Sequence, residues 1–348
     1  MSISQKTKVW TRRQALWLLT GATGGLVLHG CAQKTGSSST SSSSSAQGSN
    51  SSQTLAVGIN AWPGYAGHYV AMEKGFFKPE GVDVKETFFQ DGSSALTAFL
   101  AGKVDLSWNT SGDAVQLADK DPSIKIIKLV DYSNGSDGIV GRGITKPQDL
   151  KGKKIARENL LFENILLQSY LEKGGLTLKD VTLIDATAAD SATAFISKQV
   201  DAAVTYEPYM TKAAKAGGGT VIFSSKGTNL IADIIITRVQ IIQEKKAAIL
   251  AYLRAVDKAV KLTNQGDEEA LKIVGKKLGV SAKEAKEQIA GVKVFDIDGN
   301  KKTGFNPSDP NNLMDSLKYT VKVGTELKVL SKPLDVSKLY DDSLIKSL

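Results

Sequence analysis

Five residues of this chain return in the same order and spacing 96 positions further on. Thr97-Ala98-Phe99 followed by Val104-Asp105 reappears as Thr193-Ala194-Phe195 followed by Val200-Asp201. Each copy reads as the end of a helix, a tight turn and a strand. A chain that repeats one helix–strand unit at that distance is expected to fold as two lobes of related build. The segments after the two strands, 109–113 and 206–209, then hold equivalent places and face each other. Asp105 and Asp201 are expected to stabilise the repeated turn. Solutes in sheets of this kind bind just beyond the carboxyl ends of the strands.

The rest of the body is read as strands alternating with helices, an α/β pattern that suggests parallel sheets wound by crossovers. Residues 55–59 form an apolar strand before the turn-rich Asn60-Ala-Trp-Pro-Gly64, and a helix over 67–74 stops at Gly75, a suitable C-cap. Residues 82–88 alternate as a half-buried strand. Ser93 or Ser94 then caps a helix with Leu96, Phe99 and Leu100 on one face. Further strands are expected over 104–108 and 124–130, and helices over 247–262, 268–278 and 282–289. The chain crosses between lobes near 133–143 and returns near 224–233. The expected spans are 54–138 for the first lobe, 139–226 for the second, and 227–348 for completion of the first with carboxyl-terminal helices. Hinge motion is expected near Gly138 and Gly227.

Before this body lies an address. Lys6, Lys8, Arg12 and Arg13 precede an apolar stretch over 15–28 that ends in Leu28-His29-Gly30-Cys31. It is too short to span a membrane, which takes about 20 apolar residues, and reads as a signal peptide over 1–30. Its end resembles a lipobox, in which the cysteine takes a lipid, and Thr11-Arg12-Arg13-Gln14-Ala15-Leu16 resembles a twin-arginine export signal. Cys31 is the sole cysteine, so no internal disulfide forms. The serine-rich residues 31–53 cannot bury apolar surface and are expected to tether the body flexibly. Loss of the leader lowers the net charge from +8 to +4, 40 basic residues against 36 acidic. That balance serves solubility and argues against nucleic acid as a partner.

Five motifs carry a family resemblance: Trp62-Pro63-Gly64-Tyr65, Glu73-Lys-Gly-Phe-Phe77, Ala101-Gly-Lys-Val-Asp105, Asp149-Leu-Lys-Gly-Lys-Lys-Ile155 and Val200-Asp-Ala-Ala-Val-Thr-Tyr-Glu-Pro208. In this order, over nearly the whole body, they resemble the nitrate/sulfonate/taurine class of ABC substrate-binding proteins. The resemblance implies a type II periplasmic binding fold, two lobes on a two-segment hinge with the ligand cleft between them. It implies a monomeric receptor, anchored outside the cytoplasmic membrane, that docks on an ABC permease and its ATPase. No cofactor or metal is implied.

Anion binders of that class are expected to line the cleft with Arg, Lys, Ser and Thr donors. The residues expected at this cleft are different: Asp91, Asp113, Asp137, Glu158, Glu207 and Asp233, with the aromatic Trp62, Tyr65, Trp108 and Tyr206, and Tyr132 beside them. Acids with aromatic faces suit a planar or ammonium-like cation. Asp131-Tyr-Ser-Asn-Gly-Ser-Asp137 resembles a subgroup tied to guanidine or urea-related nitrogen uptake, which puts guanidinium first. Each residue also has a plainer role open to it: Asp113 as a helix cap, Asp91 as a turn residue, Glu207 as an acid that family members carry whatever they bind. The alternative ligand is a sulfonate, taurine, nitrate or related anion, for which Arg142 and Arg157 are the candidate donors.

An enzyme is the rival class. A pyrimidine-forming synthase of related fold uses histidine, whereas this chain has His29 in the leader and His68, expected to pack on the first helix. No P-loop, metal-spaced cluster or Ser-His-Asp set is present in the sequence. A purely structural lipoprotein is the third class, and it predicts no closure on any small solute.

Overall fold

The structure, a computed structural model, describes residues 53–348. The signal peptide, Cys31 and the serine-rich tether lie outside the described residues. The body is α/β and carries two separate sheets. The first contains β1 (Gln53–Asn60), β2 (Val82–Phe89), β3 (Leu106–Thr110) and β4 (Ile124–Ser133). The second contains β5 (Asp137–Gly141), β6 (Lys154–Arg157), β7 (Thr182–Asp185), β8 (Ala202–Tyr206) and β9 (Thr220–Ser224). The chain then returns to the first sheet as β10 (Ala232–Arg238) and adds β11 (Val292–Val294).

The strand orders are β11-β4-β10-β3-β1-β2 and β7-β6-β8-β5-β9. Read from β2 and from β7, the two orders follow one plan. Three parallel strands are wound by crossovers in each, β2-β1-β3 and β7-β6-β8. A strand delivered from the other lobe, β10 or β5, is then inserted antiparallel beside the third. The sheets are therefore mixed where the alternation suggested parallel, because the inserted strand arrives from a crossing and not from a crossover helix.

The repeated unit has a physical reason on each side. The crossover helices are α1 (Ala66–Glu73), α2 (Gly92–Leu100), α3 (Ser111–Lys120), α4 (Leu161–Glu172), α5 (Ala188–Ile196) and α6 (Tyr209–Gly217). Phe99 in α2 and Phe195 in α5 are fully buried. Arg238 lies 4.2 Å over the Phe99 ring and donates to the Phe99 carbonyl; Arg142 lies 4.4 Å over the Phe195 ring and donates to the Phe195 carbonyl. Asp105 accepts the backbone N–H of Ala56 at 2.8 Å, and Asp201 that of Lys154 at 2.9 Å. The two acids therefore reach across to the neighbouring strand, Asp201 to the first residue of β6 and Asp105 to the fourth of β1, a step beyond the turn role expected of them. Arg142 is a structural cation by this placement, also bonded to the Gly217 carbonyl at 2.7 Å. Arg142→Met is expected to destabilise the fold by about 2–4 kcal/mol and to leave ligand affinity unchanged, checked by thermal melting beside a binding titration.

The lobes are joined by the segments between β4 and β5 and between β9 and β10, which are tied to each other. Ser133 and Ser225 share a hydroxyl bond at 2.6 Å, Gly135 N–H donates to Ser225, and Gly227 N–H donates to Asn134. Gly135 (φ 121°) and Gly227 (φ 74°) adopt conformations that favour glycine. Gly138 is not at the joint. It lies inside β5, where a Cβ would meet Met210 Sδ at 2.6 Å and the Phe223 carbonyl at 2.9 Å; it is glycine for packing.

Beyond β10 runs α7 (Val239–Asn264), broken at Lys245, whose ammonium turns in to Asp105 at 2.8 Å. The helix expected from residue 247 is the part after this break. Helices α8 (Glu268–Leu278) and α9 (Ala282–Ile289) follow. Both carry an acidic first turn and N-caps from Asp267 and Ser281.

Candidate functional site

The cavity between the lobes lies where the ends of β1, β3 and β8 meet the starts of β5 and β10. Its wall is formed by Asn60, Trp62, Tyr65, Gly92, Trp108, Asn109, Thr110, Asp113, Asp137, Leu160, Phe162, Tyr206, Ile231 and Asp233. The space in which the centre of a water molecule can move is about 30 Å³. One water needs about 10–15 Å³ by the same measure, so this conformation holds a molecule of a few heavy atoms.

The aromatic side is braced from both lobes. Trp62 meets Tyr206 edge-on with centroids 5.9 Å apart, and Tyr65 meets Trp108 edge-on at 5.0 Å. Trp108 is held from behind by a relay that ends near the surface. Its Nε1–H donates to the Tyr252 hydroxyl at 2.8 Å, and that hydroxyl lies 2.7 Å from His68 Nδ1, to which it donates because the single proton of the neutral imidazole is needed on Nε2 by the ionised Glu86. His68 Nε2 then carries the proton and faces Glu86 at 3.1 Å, itself paired with Lys277 at 2.6 Å. Burial holds the His68 pKa low, keeping the imidazole neutral, and the hydrogen bonds to His68 and Lys277, opposing burial, hold Glu86 down at about 2. His68 thus packs under the site and does not face the ligand space.

The acidic side is underpaired. Asp113 and Thr110 form a capping box at the start of α3 through Asp113 Oδ2, while Oδ1 has no partner. Asp137 Oδ2 and Asn109 Oδ1 also lack partners. Asp233 Oδ1 accepts from the Tyr65 hydroxyl at 2.7 Å. Burial drives the Asp113 pKa up to about 6 and the Asp137 pKa up to about 7. Asp233 is raised well above the usual range, by burial first and then by the negative charges of Asp131 and Asp137. Neither lysine nor arginine lines the cavity.

Of the ten ligand residues expected from sequence, the structure brings seven together on this wall: Trp62, Tyr65, Trp108, Asp113, Asp137, Tyr206 and Asp233. Three lie elsewhere. Asp91 is the N-cap of α2, accepting from Ser94 N–H at 2.7 Å, which takes the cap role expected of Ser93 or Ser94. Glu158 accepts from Ser93 N–H at 2.9 Å and from its hydroxyl, a bond from the second lobe to the first. Glu207 caps α6 through Thr211. Arg157 is buried and turns to Asp185 at 2.9 Å, and it is absent from the cavity wall. Tyr132 is buried against Phe295, also off the wall. Sequence reasoning passed over Asn60, Phe162 and the acid behind the wall, Asp131. That acid had a signal: it opens the Asp131–Asp137 segment, directly after the apolar Leu129-Val130.

The comparisons with known proteins agree with this geometry at the level of fold. The alkanesulfonate-binding protein SsuA from Xanthomonas axonopodis pv. citri, bound to MOPS, superposes with a TM-score of 0.71 at 16% identity over 82% of this chain and 98% of its own. The periplasmic nitrate-binding protein NrtA from Synechocystis PCC 6803 gives 0.68 at 16% identity, over 85% and 88%. The desulfurization enzyme DSZB shares the fold too, with 0.60 at 15% identity over 85% and 98%. A Bacillus subtilis (strain 168) protein named for binding aliphatic sulfonates is 29% identical over 287 residues, 80% of this chain and 83% of its own. The NMT1/THI5-like family profile matches residues 62–270, more than half of the chain, and the chain belongs to that family.

Proposed function

We infer that this chain is the solute-binding component of an ABC importer and that its cleft takes a small planar cation of guanidinium type. The observation that carries the ligand class is a wall with three buried aspartates, five aromatic side chains and an asparagine acceptor, and no basic side chain. A buried carboxylate without a partner is strongly unfavourable, and a cation relieves several at once. Guanidinium has donors around its whole edge and faces that stack, so it suits both sides of this wall. The leader, the lipid on Cys31 and the tether over 31–53 complete the reading of an anchored extracytoplasmic receptor; among the described residues no helix is long and apolar enough to cross a membrane.

A second reading has its own support. The relatives' names, aliphatic sulfonates and nitrate, favour a small oxyanion over a cation. Size does not separate nitrate from guanidinium, since both have four heavy atoms. Charge does. Thermal melting of the purified protein is therefore run with guanidinium, urea, taurine and nitrate, at sub-denaturing concentrations and matched ionic strength. At about 100 times its dissociation constant a ligand adds roughly 2.7 kcal/mol of stability. A shift with guanidinium supports the cation. A shift with taurine or nitrate alone refutes it and establishes the oxyanion reading.

A further inference from the structure

Asp131 sits in β4 directly across from Asp233 in β10, in register, and side chains so placed lie about 5 Å apart at Cβ. Both are buried, at 0% and 3% exposure. Each has one donor from the same turn: Trp62 Nε1–H reaches Asp131 Oδ2 at 3.1 Å, and the Tyr65 hydroxyl reaches Asp233 Oδ1. Asp131 Oδ1 has no partner. The turn itself is shaped for this acid, since a Cβ on Gly64 would lie 1.9 Å from Asp131 Oδ2. Yet Asp131 does not line the ligand space.

One cation, Lys128, opposes the rise of Asp131 without bonding to either acid. Lys128 in the same strand is buried, and its ammonium is bonded to the Phe295 and Leu129 carbonyls at 2.6 and 3.1 Å. From β5 comes Asp137, from α3 Asp113, and from α1 the neutral Tyr69, so every other charged group at the cavity is an acid. β11 meets Asp131 at Val294. Two carboxylates in such a place cannot both ionise unless a cation comes.

We propose that Asp131 is a specificity-determining residue acting through Asp233: the pair holds one proton in the empty cleft, and a monovalent cation displaces it. The inference rests on the cation reading above. The charge balances, because the pair goes from −1 with its proton to −2 without it, and the arriving cation restores the total. The proton passes to solvent. Urea has almost the shape of guanidinium but no charge to exchange, so it must bind with the proton retained or not at all. Asp131 thereby turns a difference of one charge into selectivity without touching either molecule. Burial first, and then the charge of Asp137, hold Asp131 well above the usual carboxylate range, in keeping with a pair that keeps a proton near neutrality.

The test is calorimetric titration of guanidinium chloride into the purified protein at pH 7, in two buffers of different ionisation enthalpy, which counts protons released. Asp131→Asn keeps an acceptor for Trp62. It is expected to release about one proton fewer than the wild type and to lose at least tenfold of the preference for guanidinium over urea. An unchanged count and preference in Asp131→Asn overturn the proposal, as does wild-type binding of guanidinium with no proton released. A wild type that ignores guanidinium overturns the cation reading beneath it. If Asp131→Asn does not fold, the wild-type count and the pH dependence of its affinity between pH 6 and 8 decide alone.

Discussion

Asp233→Asn is expected to weaken guanidinium binding at least 100-fold while leaving the ligand-free fold intact. Asp233 stands on the cavity wall with one oxygen bonded to Tyr65. In the bound state its charge would face the cation in a space that water leaves. Removing one partner of a buried ion pair costs about 3–5 kcal/mol, and each 1.4 kcal/mol is about tenfold in affinity. The empty protein gains from the change, because a crowded acid that burial and Asp131 make costly is replaced by a neutral amide. The variant therefore separates binding from folding: titration shows the loss, and melting without ligand shows no loss. Affinity for nitrate or taurine that is present in the wild type and lost in Asp233→Asn would contradict the cation assignment, since removing a negative charge can only favour an anion.

How far the sequence carries the argument differs from element to element. The repeat is legible because Phe99 and Phe195 hold the same buried position and Asp105 and Asp201 the same cross-strand bond. Such positions tolerate few side chains, so they persist while the rest diverges. Strand ends are legible for a similar reason: Trp62, Trp108 and Tyr206 follow apolar runs, and large amphipathic rings at that place end up at a cleft. What is not legible is which acid turns inward. Asp91 and Asp113 both precede or begin a helix, and both cap it. They differ in that Asp113 stands on the cavity wall with Oδ1 unpaired, whereas both oxygens of Asp91 accept from Ser94, the backbone N–H and the hydroxyl. Arg142 and Arg157 misled for the mirror reason. A cation near a crossing looks like an anion donor until its partners, a phenylalanine face and two carbonyls or Asp185, are in view.

Between pH 6.5 and 8 the ligand-free protein is expected to lose stability as pH rises, against the common course for a soluble fold. An acid whose value is raised in the fold binds its proton more tightly there than in the unfolded chain. It stabilises the fold below its ordinary value near 3.8, and that contribution is lost as pH climbs through the folded value. Asp113, raised to about 6, has lost its share by the lower end of this window; Asp137, raised to about 7, and the pair Asp131 and Asp233, held well above the usual carboxylate range by burial, carry the loss through it. Glu163, also held well above its ordinary value by burial, acts in the same direction, and three groups act outside the window. Glu86, lowered to about 2, matters only in strong acid; His68, lowered from 6.5, opposes the trend below that pH; and Lys128, lowered to about 8, adds stability only above it. One ionising group changes stability by about 1.4 kcal/mol per pH unit, so one or two across this window amount to about 2–4 kcal/mol, a drop of several degrees in melting temperature. Saturating guanidinium should flatten the curve, because a bound cation pulls the carboxylates back toward their ordinary range. A ligand-free melting temperature that rises from pH 6.5 to 8, or falls equally with guanidinium bound, would show that these acids are already paired or wet and that the wall is not a cation site.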